Sequence, residues 1–451
     1  MNGETQVSRT TVDEWAWDPA TNPLPASVDV AIIGGGIVGC CAAWFLAREG
    51  LSVGLFEKGR IAGEQSGRNW GWVRQQGRSP VELPMMMRSR RLWPELQREL
   101  GEDLGFRQGG CMYLAATQVQ LDVISPWLVV AREHGLDTRL LTRSELGGVL
   151  RGDLTKWAGA LYTASDGRAE PNRAAPAIAR GARRAGAHII TGCAVRGLQT
   201  AAGRVQGIVT EKGAVSARSV VCAAGAWTRL FCRSLGITVP QLMVLGTVAR
   251  AAPSDAVLEG EVWAPTLGIR RRADGGHTIA HGASFLHRLT PDTLRFATKF
   301  TGLYRGTHSM RVRAGAEFFR DLAMPARWDL DAPSPFERQR MLDPAPETGV
   351  LRQIRGELRQ WFPEIADVPF VETWAGMIEA SPDALPIICE SDRLPGFHIA
   401  TGFSGHGFGI GPGAGRFVAD LVQGKADPTE LAAFRLNRYF DGTPIRPGPS
   451  L

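Results

Sequence analysis

Lysine, long hydrophobic runs and paired cysteines are all scarce in this 451-residue chain, and each scarcity removes possibilities. No apolar run reaches the roughly 18 residues that a membrane-spanning helix needs, and glycines interrupt the longest stretches, such as Val30–Val38. Residues Met1–Pro25 are polar, carry Asp13, Glu14 and Asp18, and have no apolar core of the kind a secretory signal requires. The chain reads as soluble and cytoplasmic, with no transmembrane segment. Its seven cysteines form an odd set without CxxC spacing, which reads as small buried thiols in a reducing compartment. The eight histidines contain no HExxH. His277, His281 and His287 fall on a strand-like stretch with no carboxylate close in sequence, so no metal is expected.

Only Lys58, Lys156, Lys212, Lys299 and Lys425 are lysines, so arginine carries almost all the charge of the 51 basic residues and the net charge of +6. A high-arginine bacterial proteome would look like this, and the surplus also suits an anionic cofactor or a carboxylate substrate. Nucleic-acid binding is excluded, because Arg88–Arg91 and Arg270–Arg272 are short basic stretches without interleaved aromatics. What remains is ordinary globular usage, 44% hydrophobic and 21% charged, at a length that fits two domains or one with an appended lobe.

The most informative segment follows a polar leader, residues 1–27, whose Trp15 and Trp17 are expected on the surface. Val28–Ile33 reads as a buried strand and Gly34–Gly39 is GGGIVG. Cys40–Glu49 reads as a helix that Gly50 ends, and Leu51–Phe56 as a second strand with Glu57 at its tip. A strand, glycine turn, helix, strand and acid within about 30 residues make a dinucleotide-binding βαβ unit. Gly34 permits the tight turn, Gly36 lets the backbone approach a pyrophosphate, and Gly39 allows close helix–strand contact. The helix N-terminus at Ile37 and Val38 offers free N–H groups to the phosphates. Glu57 suits ribose hydroxyls, and Lys58 lies beside it.

Further strand-to-turn blocks recur hundreds of residues apart. They include Glu64, Gln65, Ser66, Arg68, Asn69, Trp70 and Gly71 after the second strand, then Val195, and the strand ending in Ala223, Ala224, Gly225 and Trp227. Near the C-terminus, Phe397–Thr401 runs into Gly402, Gly405, His406, Gly407, Phe408 and Gly409, and a helix starts close to Gly411. Together these blocks resemble the D-amino acid oxidase superfamily of FAD enzymes over about residues 28 to 425. A nearer resemblance, to the membrane-associated bacterial L-amino acid deaminases, rests on Ile61–Ser66, Arg196–Thr200, Thr210–Gly213, Arg229–Phe231, Arg327–Leu330 and Ser334–Arg338. The chain departs from those deaminases in lacking an N-terminal transmembrane anchor. It departs again at Ser404–Phe408, which is more similar to the sarcosine and dimethylglycine enzymes.

The resemblance implies an α/β fold: a discontinuous Rossmann-like FAD-binding domain, an antiparallel-sheet substrate domain and a small inserted helical lobe. The expected boundaries are FAD-binding parts at 28–115, 158–240 and 371–451. Substrate parts are expected at 116–157 and 241–370, with the lobe, read as two helices, at about 289–340. By itself the sequence suggests a helix over Pro80–Leu100 with Met85–Met87 in its core face, and an antiparallel sheet over Leu245–Ala283.

The implied cofactor is non-covalent FAD. Gly376 occupies the place, six residues before Pro382, where sarcosine oxidases carry their flavin-linked cysteine, and Glu64–Trp72 contains no histidine. The implied activity is oxidation of an amino acid or N-substituted amino acid to an imine that water hydrolyses. Alternatives are a sarcosine-type secondary-amine oxidase or the flavoprotein subunit of a multi-component dehydrogenase. Such chemistry needs no Ser/His/Asp or paired-carboxylate signature, because the cofactor performs the difficult step. By resemblance Arg270, placed before Ala273–Gly275, is the carboxylate clamp; a solvent-facing position on its strand is the alternative. Arg74 and Gln75 are candidates to line the pocket, and Trp374, Phe403 and His406 to wall it. The electron acceptor stays open between oxygen, a quinone and a redox protein. Peripheral membrane contact through the lobe is a further possibility.

Overall fold

The apolar run predicted as the first strand forms Ser27–Ile33, buried along most of its length. The computed structural model describes Trp15 and residues 17–255, 258–306 and 310–446. Ser27–Ile33 pairs in parallel with Val53–Phe56 on one side and with Gly213–Cys222 on the other. His188–Ile190 extends the sheet beyond Val53–Phe56, and Phe397–Thr401 pairs in parallel with the far end of Gly213–Cys222. An antiparallel ribbon, Val195–Ala201 and Arg204–Thr210, completes one edge of this eight-stranded sheet.

Helices Ile37–Arg48, Pro171–Arg184 and Gly407–Val422 pack together on one face of the sheet. Their small residues permit the approach: a side-chain carbon on Gly415 would stand 2.3 Å from Cys41 Cβ. Leu83–Leu100 lies outside them and ends at Gly101, whose φ of +65° is left-handed. Met85 and Met86 of that helix are buried in the same core. All seven cysteines are buried thiols.

A ten-stranded, mostly antiparallel sheet forms the second layer system. Its centre is Leu242–Ala251, paired with Phe370–Ala380 along their length, and Glu261–Trp263, Leu267–Arg271 and His277–His281 continue it. Cys111–Ala115, Gly159–Thr163 and Phe370–Ala380 hydrogen-bond within this sheet, although the expected boundaries put the first two, and the third from Val371 onward, in FAD-binding parts. A strand at a crossing point carries the same residue pattern whichever sheet it joins.

Two further expectations change. Trp15 is buried against the first core, with Arg183 5.0 Å above its ring, rather than lying on the surface. Trp17 is half-buried against the second core, and residues 1–14 and 16 of the leader lie outside the described residues. The lobe contains the short helices Pro291–Arg295, Thr301–Gly306 and Ala316–Leu322 and the strand Met310–Arg313, in place of two helices. Leu294, Val312, Phe319 and Leu322 are exposed on it. Among the described residues no helix is long and apolar enough to cross a membrane.

Candidate functional site

The glycine turn is shaped by contacts that only glycine tolerates. Gly34 has a φ of +112°, and a Cβ there would stand 2.5 Å from the Ala223 carbonyl oxygen. A Cβ on Gly39 would stand 2.1 Å from the Gly34 carbonyl oxygen, so helix and turn touch backbone to backbone. Glu57 closes the unit: its carboxylate accepts from the Gly35 N–H at 2.7 Å and the Gly59 N–H at 2.6 Å. Burial nevertheless pushes the Glu57 carboxyl above its usual range. Each oxygen can still accept a second hydrogen bond.

From this turn a long cavity runs between the two sheets. Its walls contain Gly34, Gly36, Ile37, Val38, Glu57, Lys58, Glu64, Gln65, Ser66, Arg68, Asn69 and Trp70. They also contain Val195, Ala223, Ala224, Gly225, Trp227 and Gly376, and then Gly405, His406, Gly407, Phe408 and Gly409. Three glycines named for cofactor contact lie outside the walls. Gly39 packs on Gly34, Gly71 is pressed against the Ala169 carbonyl and Arg270, and Gly402 faces Ser381. Ser66 links two wall segments, its hydroxyl accepting from the Ile37 N–H at 2.9 Å. Lys58 is fully engaged: its ammonium bonds the Gln339 and Arg340 carbonyls, sits 3.5 Å from Glu64 and lies 3.8 Å over the Trp227 ring.

Beyond the dinucleotide cradle the cavity widens against an aromatic wall. Trp70, Trp72 and Trp263 meet with ring centroids 5.6 to 6.0 Å apart, and all three line the cavity. Gly246, Val248, Phe285, Ile378 and Phe403 complete an apolar chamber. Two arginines enter it. Arg74 bonds the Tyr113 hydroxyl and the Gln76 carbonyl, and Arg78 donates through Nε to the Arg74 carbonyl while its buried Nη1 has no partner.

The other expected substrate contacts lie elsewhere. Arg270 is fully buried outside the cavity walls, where its two terminal nitrogens bond Glu170 at 2.8 and 3.3 Å. Burial works against the Glu170 carboxylate, but Arg270, Arg272 and the Ala273 N–H together hold it below the usual range. Gln75 turns away: its backbone and side-chain N–H groups bond Asp166. Trp374 lies beyond the cavity end and donates to the Arg68 carbonyl at 2.8 Å. Phe403 and His406 do line the chamber.

Several wall residues carry no motif that would mark them in advance. Arg78 sits in an ordinary polar turn, and Trp263 and Phe285 belong to strands with common apolar alternation. Glu379 is a buried wall carboxyl on the Phe370–Ala380 strand; desolvation pushes it up to about 7, and its Oε2 has no partner.

A glycine-lined cradle joined to a buried chamber defines a dinucleotide-dependent oxidoreductase. The chain belongs to the FAD dependent oxidoreductase family, whose pattern it matches over residues 29–421. It is an FAD enzyme of that family, with the mixed α/β fold the family shares. Among solved structures it resembles the L-amino acid deaminase from Proteus myxofaciens in complex with anthranilate. That match has 34% identity and a TM-score of 0.88, over 92% of this chain and 94% of the other. Glycine oxidase of Geobacillus kaustophilus is 27% identical over 91% of this chain and 97% of that protein. Human mitochondrial sarcosine dehydrogenase is 25% identical over 93% of this chain, which spans only 42% of that longer protein. The residues present fit FAD: bare backbone faces the cavity at Gly34 and Gly36, and Glu57 stands at the adjoining strand end.

Proposed function

We propose that this chain oxidises the CH–NH bond of an amino acid or N-substituted amino acid to an imine, which water hydrolyses to a carbonyl compound. The observation carrying this reading is that one cavity holds both the dinucleotide cradle and an apolar chamber entered by Arg74 and Arg78. FAD, when bound, accepts the hydride from the carbon beside the amine. Arg74 and Arg78 provide the positive charge a substrate carboxylate needs, and the unpartnered Arg78 Nη1 is a donor still to be satisfied. The tryptophan wall suits an apolar side chain and keeps water from the reacting carbon. Anthranilate in the similar deaminase is itself an aromatic carboxylate, and glycine and sarcosine, named by the other relatives, are small amino acids.

The sarcosine-type alternative draws on the Ser404–Phe408 loop, and the dehydrogenase-subunit alternative on the 42% span of sarcosine dehydrogenase. The acceptor we favour is a quinone or redox protein rather than oxygen, since the lysine lining the cavity, Lys58, is held by four partners. Leu294, Phe319 and Leu322, exposed on the lobe, support peripheral membrane contact through it.

The test is anaerobic mixing of the FAD-loaded protein with three panels: primary amino acids, N-methyl amino acids, and the amines that lack the carboxylate. One of the first two panels should bleach the flavin. Bleaching by the simple amines alone would refute the reading.

A further inference from the structure

One part of the chamber is not used by carboxylate binding. Glu82, fully buried just before the Leu83–Leu100 helix, places Oε2 3.4 Å from Nδ1 of His406. Neither Glu82 oxygen and neither His406 ring nitrogen makes a hydrogen bond, although both side chains are buried. His406 lines the cavity at the start of the Gly407–Val422 helix, whose first turn holds no acidic residue. The charged groups facing the ring all come from the segment before Leu83: Arg74, Arg78 and Glu82. Asp166 stands behind that segment, bonded to the N–H groups of Gln75 and Gln76.

An amino acid arrives as an ammonium, whose nitrogen has no lone pair to assist departure of hydride from the neighbouring carbon. One proton must leave before oxidation. We propose that His406, supported by Glu82, is the catalytic base that takes this proton, and that docking of the substrate carboxylate on Arg74 and Arg78 switches it on. The inference rests on the amino-acid reading above. An N–H bond of the ammonium breaks, its electron pair stays on the amine nitrogen, and the proton bonds to an imidazole nitrogen. No further reactant is needed.

The coupling is electrostatic. Burial first, and then the charge of Arg78, push His406 down to about 4, so the ring is neutral in the free enzyme. A bound carboxylate offsets the Arg78 and Arg74 charges, so that Glu82 raises the proton affinity of the ring against burial alone. Burial opposes ionisation of Glu82, while His406 when charged, Arg78 and Arg74 favour the carboxylate and hold it below its usual range. Glu82 is accordingly a positioning residue, acting through the ring it faces.

The experiment uses FAD-loaded protein and benzoate, a carboxylate with no ammonium to donate. Calorimetry in buffers of different ionisation enthalpy should show proton uptake on benzoate binding at pH 7 in the wild type, and none in His406→Asn. With an amino acid, wild-type kcat/KM should stay level with pH up to the ammonium pKa. His406→Asn, which must wait for free amine, should climb about tenfold per pH unit and fall about 100-fold below wild type at pH 7. Glu82→Gln should lose the proton uptake while retaining FAD. Benzoate binding without proton uptake in the wild type overturns the base assignment and leaves the amino-acid reading standing; so does a level profile in His406→Asn. Protein that neither binds benzoate nor is bleached by any amino acid overturns both. If His406→Asn fails to hold FAD, the wild-type proton count decides alone.

Discussion

Replacing Arg270 with methionine sets two incompatible roles against each other. The guanidinium is fully buried and joined to Glu170, which is 3% exposed at its side chain. Methionine restores much of the aliphatic volume but strands Glu170 with the Ala273 N–H and with Arg272, 3.8 Å away. Removing one partner of a buried pair costs about 3–5 kcal/mol, and the two remaining contacts place this case near the lower figure, about 3 kcal/mol. Adding Glu170→Gln removes the stranded charge, so the double variant should recover most of that loss. The assay pairs the urea midpoint of FAD-loaded protein with steady-state kinetics. The midpoint should fall in Arg270→Met and return in the double variant, while KM stays within about threefold of wild type. An unchanged midpoint, with kcat/KM down about 30-fold or more at normal FAD content, would refute the reasoning. It would mean that Arg270 leaves Glu170 to hold the substrate carboxylate.

Gly39→Ala should yield colourless protein, because its Cβ would stand 2.1 Å from the Gly34 carbonyl oxygen and force the helix off the turn; flavin absorbance per chain measures this. Glu379, with a carboxyl raised from 4.5 to about 7, favours the folded state fully below about pH 4.5 and loses that contribution as pH rises through 7. The shift corresponds to about 3 kcal/mol, so wild-type urea stability should decline by that order between pH 4.5 and 8 relative to Glu379→Gln, and parallel pH curves would contradict it. Acid precipitation should release all the yellow colour, since the cavity walls hold no cysteine or tyrosine and His406 as the single histidine; flavin retained on the denatured chain would show a covalent link. Reduced enzyme should reoxidise slowly in air and quickly with a quinone, and rapid peroxide formation would contradict the reading of Lys58 as fully engaged.

The dinucleotide cradle was legible because its chemistry is contiguous: strand, glycines, helix and acid occupy one 30-residue span, even though the Ala223 carbonyl that also crowds Gly34 comes from far along the chain. The substrate end was not. Arg270 and Arg78 look alike as arginines near strands, and what separates them is a partner 100 residues away: Glu170 pairs with the terminal nitrogens of Arg270, whereas Arg78 lines the chamber. Glu82 falls inside the expected Pro80–Leu100 helix, and nothing in that pattern shows that the start of the Gly407–Val422 helix brings His406 against it. Trp374 shares strand parity with Gly376 and Ile378, which do line the cavity, but stands one step past its end. The lobe was misjudged because its arginine-rich amphipathic pattern sets helical character but not where each short helix stops.

The two-sheet cavity also imposes an order on how the protein is made. Its cradle begins at Gly34, yet the wall opposite includes Gly405–Gly409, and the strand leading there pairs with Gly213–Cys222. At a synthesis rate of about 5–20 residues per second, the nascent chain spends from about 20 s to more than a minute with the glycine turn made and its far wall absent. During that interval the small-residue face of the Ile37–Arg48 helix has no Gly407–Val422 helix to cover it. Cofactor capture by a cavity with these walls would thus be a late event, with FAD, when bound, bridging segments from both ends of the chain. Scarcity of flavin should show first as newly made, protease-sensitive protein, before any loss from the mature pool.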